Sequence, residues 1–549
     1  MVHSINMADN NWKASRRTKL LTVRNLRRTT QVLCFVGFVY LFLATVHRFD
    51  TNLNRPVLPS RAPIDTFFRI DPLLGLSAML SARRVIEVML VYALPVVLLS
   101  IVAGRFFCGW ICPLGTAIDA TSTIFFRNRR AAEPNRHFAN VKYYVLAAII
   151  TAAVFGGQIA YFLDPITIIT RAFTFSIYPV AQLTGRSFGH SEFISERLPF
   201  LISNTYLPND VLYYYRLNFV AAAMLIGVLG AEVISRRFWC RNLCPLGAML
   251  GVMSRFSVVR RLVANTCVAC PMCMPKCKMG AILDNPTQYQ ANECIYCYNC
   301  TQTCPTLSTR IVPTIRKEGY RSTLDLSRRR TVLAMGAGAL VAVMARTNIA
   351  AKTAVDSKIK VSDAGLIRPP GSLPEEEFVD RCIRCSECMK VCPTGGLQPA
   401  LTEAGLEGLW TPVLVPRIGE CAQNCNLCSQ VCSSQAIQRF EIDEKPHIYI
   451  GTAAIDRSLC IMWNFDECKS SKRCLVCDEC CSYRAVYWQY VDDIKRPFID
   501  EHKCVGCGIC ENKCPIQPIS AIRVFSYGDQ RHKTREEQKA FYESGQRKE

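Results

Sequence analysis

The sequence predicts an α-helical membrane domain of four spans, joined through a fifth connecting span to α+β domains organised around cysteine runs. Hydrophobic residues make up 50% of the 549 residues, but they gather in a few separate blocks. The remainder is basic and holds most of the 31 cysteines, and the formal charge is +21. A chain of this length has room for three or four folding units.

Four apolar blocks in the first half are long enough to cross a bilayer, which takes about 17–25 mostly apolar residues. A buried core helix is the alternative interpretation of each block. Arginines flank the blocks, and this favours spans. Six basic residues precede the first block, and three arginines follow the second. The blocks are 29–47, 87–104, 143–163 and 217–234, and the flanking residues are Arg16, Arg17, Lys19, Arg24, Arg27, Arg28, Arg127, Arg129 and Arg130.

The bias of arginines toward cytoplasmic loops orients these spans. It predicts that the N-terminus and the loop 105–142 lie inside the cell, and that the segment 164–216 lies outside. The apolar run 165–183 within that segment is expected to lie along the outer membrane surface. The predicted location is therefore a bacterial inner membrane, with membrane lipid as one partner.

A fifth apolar stretch, 331–351, follows Arg328, Arg329 and Arg330. Twin arginines before a weakly hydrophobic stretch are typical of a Tat export signal. An ordinary basic flank on a short span is the alternative. Both interpretations place the residues after about 352 in the periplasm, and a Tat route would export a domain with its cofactors already inserted.

Two cysteine runs follow the fourth span, and the second ends in Pro305. The spacing C-x₂-C-x₂-C-x₃-C, repeated in tandem, is that of bacterial two-cluster ferredoxins, in which the fourth cysteine of each run serves the other cluster. Structural zinc usually takes separated CxxC pairs, and disulfides are not expected in a cytoplasmic segment. The predicted [4Fe–4S] ligand sets are Cys267, Cys270, Cys273 and Cys304, and Cys294, Cys297, Cys300 and Cys277.

The part predicted to be exported carries four more groups of four cysteines, which predict four further [4Fe–4S] clusters and six in all. The first and fourth groups match the usual pattern, whereas Ser433 and Ser482 replace the usual proline in the second and third. Cys468 and Cys480 are left over, and we interpret them as spare buried thiols rather than ligands. The groups are Cys382, Cys385, Cys388 and Cys392; Cys421, Cys425, Cys428 and Cys432; Cys460, Cys474, Cys477 and Cys481; and Cys504, Cys507, Cys510 and Cys514.

Clusters also bear on the charge of the chain. A [4Fe–4S]²⁺ core with four thiolates carries 2−, so six of them would reduce the formal +21 to about +9. No nucleic-acid partner is needed to explain the remainder, because the basic residues flank the apolar blocks.

A CxxxCP motif occurs twice, after the second and the fourth span: Cys108 with Cys112, and Cys240 with Cys244. Cysteines four apart share one face of a helix, so two such pairs would bring four thiols together near the ferredoxin-like segment. One interpretation is redox-active or metal-binding thiols. The alternative is a packing motif that docks the ferredoxin-like segment, since cysteine is small and buries well. Cys34 in the first span is interpreted as a core residue.

The sequence contains no CxxCH haem motif, no GxGxxG and no P-loop, so a protein that conducts electrons is favoured over one that activates a substrate. Oxidation of a quinol would require an ionisable group near its site. Glu87, Asp164, Glu232 and, more weakly, His190 are the candidates. A helix cap or an interfacial charge is the alternative interpretation of each.

Residues from about 30 to 310 resemble NapH, the four-span quinol dehydrogenase membrane component with CxxxCP motifs and two ferredoxin clusters. Residues from about 325 to 540 resemble the MauM/NapG ferredoxins, which are exported with four [4Fe–4S] clusters. The resemblance to the second family is carried by these stretches: Arg368-Pro369-Pro370-Gly371, Cys382 to Pro393, Cys425-Asn426-Leu427-Cys428, Gly451-Thr452-Ala453 and Cys474-Leu475-Val476-Cys477-Asp478-Glu479.

The resemblance implies that electrons pass from quinol to a periplasmic ferredoxin, and then to a periplasmic acceptor such as a nitrate reductase or a cytochrome c. It also implies that cysteine group one pairs with group four and group two with group three. In that pairing Cys514 joins Cys382, Cys385 and Cys388, and Cys392 joins Cys504, Cys507 and Cys510. Here the two proteins are joined in one polypeptide, which departs from the pattern of separate subunits.

The sequence therefore predicts an electron-transfer protein, a quinol dehydrogenase component, with a bacterial ferredoxin-like α+β fold in its cysteine-rich parts. A membrane polyferredoxin that matures or reductively activates a partner redox enzyme is the alternative. The expected domains are a membrane domain at 1–255, a cytoplasmic two-cluster segment at 256–315, the twin-arginine segment and fifth span at 316–352, and a periplasmic four-cluster domain at 353–549.

Overall fold

The structure, a computed structural model, describes residues 2–45, 48–50, 55–58, 65–125, 138–189, 214–282, 284–314, 326–346, 366–401, 403–464, 474–492 and 494–544. The first part of the chain is helical. A short hairpin of β1 (Arg48–Asp50) and β2 (Arg55–Val57) follows its first helix. The helices of this part are α1 (Val2–Ala44), α2 (Thr66–Arg69), α3 (Pro72–Ala82), α4 (Glu87–Ala103), α5 (Phe106–Trp110), α6 (Pro113–Phe125), α7 (Val141–Val154), α8 (Pro165–Ala172), α9 (Tyr178–Gly189), α10 (Asn218–Gly230), α11 (Phe238–Asn242) and α12 (Pro245–Met253).

The cysteine-rich parts combine short helices with antiparallel strand pairs. The elements are β3 (Val259–Val263), α13 (Asn299–Thr303), β4 (Thr309–Pro313), α14 (Arg328–Arg346), α15 (Glu375–Arg381), α16 (Glu387–Lys390), β5 (Leu397–Pro399), β6 (Pro412–Leu414), α17 (Leu427–Gln430), β7 (Thr452–Ile455), α18 (Val476–Glu479), β8 (Val486–Val491), β9 (Ile494–Ile499), α19 (Ile509–Lys513), β10 (Ile522–Phe525) and α20 (Arg535–Ser544). The strand pairs within the described residues of these parts are β3–β4, β5–β6, β7–β10 and β8–β9.

Each of the four apolar blocks coincides with a helix, but the helices differ in length. Within the described residues, one stretch, Val23–Ala44, is long and apolar enough to cross a membrane by length and composition. The other apolar helices are shorter: α4 has 17 residues, α7 has 14 and α10 has 13. At 1.5 Å per residue, α7 covers about 21 Å.

Within the run 165–183, α8 does not lie along an outer surface, so that expectation is wrong for the part that α8 covers. All eight residues of α8 are buried, including Arg171. The reason lies in its polar face, because Asp164, Thr167, Arg171 and Thr174 recur at helical spacing and are each at most 2% exposed. A π-helical segment, Phe173–Ile177, continues α8 into α9.

The helix α14 runs alongside α7 over its whole length. At one end the backbone N–H of Ser327 donates to the hydroxyl of Tyr144 (3.2 Å), and at the other Arg346 donates to the carbonyl of Gly156 (3.4 Å). Between them a side chain at Gly338 would lie 2.2 Å from the carbonyl oxygen of Ala148. A glycine is therefore required for this close approach, as in small-residue contacts between membrane helices.

The two cysteine-rich parts pack at opposite ends of the helical bundle. Residues 256–314, the proximal ferredoxin, contact the bundle where α7 begins, through Lys142 and Tyr143. Residues 366–544, the distal domain, contact it where α7 has ended: Arg384 donates to the carbonyl of Gln158, and Arg346 of α14 donates to both Gly156 and Asp380. We call these the proximal and distal ends of the bundle.

The faces of the bundle helices that point away from its core remain apolar. Leu33 of α1, Val91 and Leu98 of α4, Phe219 of α10 and Val332 of α14 are each more than half exposed. Exposed apolar side chains on several helices of one bundle are unusual on a protein surface that meets only water.

Candidate iron–sulfur centres

The proximal ferredoxin brings its cysteines together as the spacing predicts. Cys277 lines one cavity with Cys294, Cys297 and Cys300, although it belongs to the other run in sequence. We call this set proximal site 2. In proximal site 1, formed by Cys267, Cys270, Cys273 and Cys304, the thiol of Cys273 interacts electrostatically with those of Cys270 and Cys304.

In the distal domain the structure pairs neighbouring groups. Cys432 lines one cavity with Cys382, Cys385 and Cys388, which we call site A. Cys392 lines another with Cys421, Cys425 and Cys428, which is site B. Each fourth cysteine therefore crosses to the adjacent group, as in the proximal ferredoxin.

The third and fourth groups are arranged in the same way. Cys514 lines a cavity with Cys460, Cys474 and Cys477, which is site D. Site C consists of Cys504, Cys507 and Cys510 with Cys481, whose thiol interacts electrostatically with that of Cys507. The distal domain thus contains two ferredoxin-like units in sequence order.

This arrangement differs from the pairing that the family resemblance implied, in which Cys514 joined Cys382 and Cys392 joined Cys504. The hairpins explain the difference. The pair β5–β6 lies between Cys392 and Cys421, and β8–β9 lies between Cys481 and Cys504. Each hairpin folds the end of one group back onto the start of the next, and short connections between neighbouring elements are the usual case.

Five of the six crossing cysteines can be grouped by the hydrogen bonds that their sulfurs make. Where proline does not follow the cysteine, a backbone N–H donates to the sulfur at 3.3 Å, as Ala281 does to Cys277, Ile437 to Cys432 and Ala485 to Cys481. Hydrogen bonds to the sulfurs are one of the means by which a protein sets the potential of a cluster.

The hydroxyl-bonded class comprises Cys304 and Cys392, which are followed by proline. Cys304 contacts the hydroxyls of Ser308 (3.2 Å) and Thr306 (3.5 Å), and Cys392 that of Thr394 (3.4 Å). Burial would raise the pKa of Cys304, but these hydrogen bonds lower it to about 7. A lowered pKa favours the thiolate, which is the form that binds iron.

The leftover cysteines lie apart from these sets. Cys480 is partly buried and its thiol donates to the carbonyl of Cys477 at 3.7 Å. Cys34 is half-buried in α1. Cys468 and His190 fall outside the described residues.

The two CxxxCP motifs meet at the proximal end of the bundle. Cys108, Cys112, Cys240 and Cys244 are at most 8% exposed, and their thiols interact electrostatically with one another. The two cysteines of a motif do not share one helix, because α5 ends at Trp110 and α6 begins at Pro113. Proline has no N–H and suits the first position of a new helix, so each motif forms a helix–turn–helix.

Of the ionisable candidates, only Asp164 is fully buried. It caps α8, and Asp71 caps α3; both carboxyls are 0% exposed and hydrogen-bond to each other. Asp71 was not recognised from the sequence, although an aspartate directly before a proline is a typical helix cap. Glu87 is exposed at the start of α4, and Glu232 is 7% exposed.

Comparisons with known proteins support [4Fe–4S] binding in the segments that hold the CxxxCP motifs and in those that hold cysteine groups one and four. A family model described as "4Fe-4S binding domain" matches residues 87–131 and 217–263, and a second with the same description matches 378–398 and 497–520. The putative electron transport protein YccM of Escherichia coli K12 is 24% identical over 298 residues, which is 52% of this chain and 73% of YccM. No solved structure matches.

Two further relatives correspond to one part of the chain each. The ferredoxin-type protein NapG of Escherichia coli K12 is 30% identical over 193 residues, which is 34% of this chain and 80% of NapG. The methylamine utilization ferredoxin-type protein MauM of Methylorubrum extorquens is 32% identical over 207 residues, or 36% of this chain and 88% of MauM. With nearly the whole of MauM covered at this identity, the chain belongs to the MauM/NapG-type ferredoxins, and its function is iron–sulfur electron transfer.

Proposed function

We propose that the chain takes electrons from quinol at a bacterial inner membrane, passes them through the [4Fe–4S] clusters of its distal domain to a periplasmic reductase or cytochrome c, and holds six such clusters in all. The observation that carries this proposal is the placement of two sets of cysteine sites at opposite ends of one helical bundle. The NapH-like membrane half, the four spans and the quinol substrate are parts of the proposal. Their support is the apolar outer face of the bundle and the length of Val23–Ala44.

The cysteine sites would hold their clusters in the sets described above. Proximal site 2 and sites A, B and D each form a cavity lined by four cysteines and otherwise mainly by apolar side chains. Bound clusters supply one-electron transfer. The protein supplies thiolates, N–H and hydroxyl hydrogen bonds to sulfur, and exclusion of water.

The contacts of the distal domain favour one order of its sites. Site A adjoins the bundle, since Ile383 and Cys385 belong to its hydrophobic core and Arg384 donates to the carbonyl of Gln158 at 3.3 Å. The backbone N–H of Cys421 in site B donates to the carbonyl of Cys507 in site C at 2.8 Å. The proposed route is therefore A to B to C to D, with D nearest the acceptor.

Quinol must lose two protons with its two electrons, and the pair of Asp71 and Asp164 is suited to accept one proton at a time. Asp71 Oδ1 accepts from the N–H groups of Leu73 and Leu74, and Asp164 Oδ2 from the N–H of Thr167. Asp71 Oδ2 and Asp164 Oδ1 remain for the bond between the two carboxyl groups. Two carboxyls in contact share one proton, because they cannot both be charged, so the pair can accept one more.

Donors for a quinone oxygen lie in the same region. Arg171, seven residues after Asp164 on the same face of the helix, interacts electrostatically with Asp164 and with Cys385 of site A. Within the described residues, its Nη1 is buried without a hydrogen-bond partner, as is Nε2 of Gln158. We propose that quinol is oxidised here, at the distal end and beside site A.

The test is anaerobic. The full chain is purified in detergent, its iron and acid-labile sulfide are counted, and a menaquinol analogue is added while the visible iron–sulfur absorption is followed. About 24 irons, four for each of six clusters, with rapid partial bleaching is the expected result. Cys480→Ser is the matched control, because Cys480 lies beside ligand Cys481 but outside every site. Full iron that bleaches only with a stronger reductant would contradict quinol as donor and favour the maturation role.

A further inference from the structure

The four CxxxCP cysteines belong to none of the six sites, and the structure encloses them in a symmetric frame. We propose that Cys108, Cys112, Cys240 and Cys244 hold a seventh iron–sulfur cluster, seated between the bundle and the proximal ferredoxin. The metal site is argued from its own geometry. Only its role in electron transfer rests on the proposed function.

The frame consists of two arginines that cross between the motifs. Arg105 and Arg237 each stand three residues before the first cysteine of their copy. Arg105 Nη2 donates to the carbonyl of Cys240, and Arg237 Nη1 donates to the carbonyl of Cys108, both at 3.2 Å. Each copy is thereby fixed by the arginine of the other, which holds the two pairs of cysteines face to face.

The equivalent glycines of the two motifs both lie against these arginines, and Gly247 makes room for Arg105. A side chain at Gly247 would lie 2.5 Å from Arg105 Nη2, and Arg237 Nη2 donates to the carbonyl of Gly115 at 3.2 Å. Aligning the two copies shows the pattern Arg-Phe-x-Cys-x₃-Cys-Pro-Leu-Gly in both. The repeated arginine and glycine were available in the sequence, but only the structure shows that they cross.

Basic groups outnumber acids around the four thiols. Arg105 and Lys142 are 0% exposed and share one acid, Glu293. Asp119 in turn pairs with three basic groups, those of Arg27, Arg237 and Lys278. Burial alone would raise the pKa of Asp119, but Arg237 and Lys278 hold it well below its ordinary value, so this acid is charged.

Five basic groups therefore surround the motifs with two acids, and buried charge without a partner is costly. One cluster at proximal site 2, with charge 2−, would leave part of this positive charge without compensation. Four thiolates on a second iron–sulfur core would supply another 2−.

The spacing of the thiols favours a cluster over a single ion. A zinc ion holds its sulfurs about 2.3 Å away, so four such sulfurs lie close together. Throughout the described part of the chain, no three His, Cys, Asp or Glu side chains are close enough to hold one metal ion. The six predicted cluster sites share this property, as expected for ligands that surround a larger core. The four cysteines are free thiols and not disulfides.

The location suits electron transfer to the proximal ferredoxin. A side chain at Gly109 would lie 2.4 Å from the carbonyl oxygen of Ile295, and Trp110 Nε1 donates to the carbonyl of Tyr296 at 3.3 Å. Ile295 and Tyr296 lie between Cys294 and Cys297 of proximal site 2. The backbone of the first motif thus touches the loop that binds the proximal cluster, and one electron that leaves one reduced cluster would reduce the other.

The experiment counts iron and sulfide in the anaerobically purified full chain and records the electron paramagnetic resonance (EPR) spectrum after reduction with dithionite. Seven clusters require about 28 irons rather than about 24. The double variant Cys108→Ser, Cys240→Ser should lose about four irons, four sulfides and one EPR component. The matched control Cys34→Ser, Cys480→Ser should lose none.

Wild-type protein with about 24 irons and four alkylatable thiols at these positions would overturn the proposal, even if the double variant failed to fold. Unchanged iron in a folded double variant would also overturn it and favour a packing role. Because dithionite replaces quinol in this test, failure of the quinol proposal would leave the iron count unchanged.

Discussion

The two ends of the helical bundle hold their cysteine-rich domains by different kinds of contact. At the proximal end, Glu293 of the ferredoxin accepts from Arg105 at 2.9 Å and from Lys142, all of them buried. At the distal end, two buried arginines lie against aromatic rings: the guanidinium of Arg171 lies 4.1 Å from the ring centroid of Trp410, and that of Arg384 lies 4.3 Å from that of Tyr161. The ion pairs at this end, such as Arg346 with Asp380 at 2.9 Å, involve partly exposed arginines.

The difference indicates how rigid the contact between bundle and cysteine-rich domain is at each end. A buried ion pair fixes a geometry but is costly to disturb, which suits a permanent joint beside the CxxxCP cysteines. Cation–π contacts leave the guanidinium donors partly available, and Arg171 Nη1 is such a donor. We infer that the distal end is the one prepared for a diffusible ligand.

The largest expected effect comes from Cys432→Ser, which sharpens the comparison by removing the site at the distal end. The structure places Cys432 with Cys382, Cys385 and Cys388, so this variant should lose about four irons and stop quinol from reducing the other distal clusters. Cys514→Ser should lose about four irons at site D, while quinol still reduces sites A to C. Iron counts with freeze-quench EPR measure both. If Cys514→Ser instead removed the cluster held by Cys382, Cys385 and Cys388, the pairing of group one with group four would be restored.

Glu293→Gln should break the proximal joint, because it leaves Arg105 and Lys142 buried without an anionic partner. We expect a loss of about 3–5 kcal/mol in the free energy of unfolding, measured by denaturant titration in detergent with limited proteolysis between residues 256 and 314. The control is Glu403→Gln at the distal end, whose pair with Arg216 is 36% exposed on both sides and should contribute less than about 1 kcal/mol. Equal losses in the two variants would contradict the contrast between the ends.

Asp164→Asn tests the distal end as the quinol site. Asparagine caps a helix nearly as well as aspartate, so the fold should persist, but the pair with Asp71 can no longer hold a shared proton. General-base contributions are typically about 10²–10⁴-fold, and we expect at least a tenfold slower bleaching by the menaquinol analogue with unchanged bleaching by dithionite. Glu87→Gln, at an exposed candidate, is the control. A rate equal to the wild type would remove Asp164 from the quinol site.

The sequence predicts a cluster site where its ligands follow a short, regular spacing. It does not predict contacts between residues that are far apart in the chain. The spacing of Cys382, Cys385 and Cys388 predicts a cluster, and a 4Fe-4S family model matches residues 378–398, which contain these cysteines. The fourth ligands of the distal sites depend on strands as short as Leu397–Pro399, which carry no readable alternation. The burial of α8 was missed because its apolar run hides a polar face, and the carboxyl pair of Asp71 with Asp164 joins residues 93 positions apart.

The smallest expected effect concerns Glu375, whose ion pairs lie within the distal domain and not at its contact with the bundle. Its carboxylate accepts from Arg531 Nη1 at 2.7 Å and pairs with the buried Arg368. Burial opposes the charge, but the two arginines lower the pKa of Glu375 to about 2. The folded state therefore binds this proton less readily than the unfolded state, whose glutamate has a pKa of about 4.3. Stability from this group is complete at pH 7 and falls as the pH drops below about 5.

Because the side chain is 39% exposed, solvent screening limits the contribution to about 1 kcal/mol. Glu375→Gln should lower the free energy of unfolding by that amount at pH 7, and the gap to the wild type should be clearly smaller at pH 3, between the folded and unfolded pKa values. Denaturant titrations of both proteins at pH 7, 5 and 3 measure it. A gap that stays constant over this range would show that Glu375 acts by shape and not by charge, and that the distal domain, unlike the proximal joint, does not rely on this ion pair.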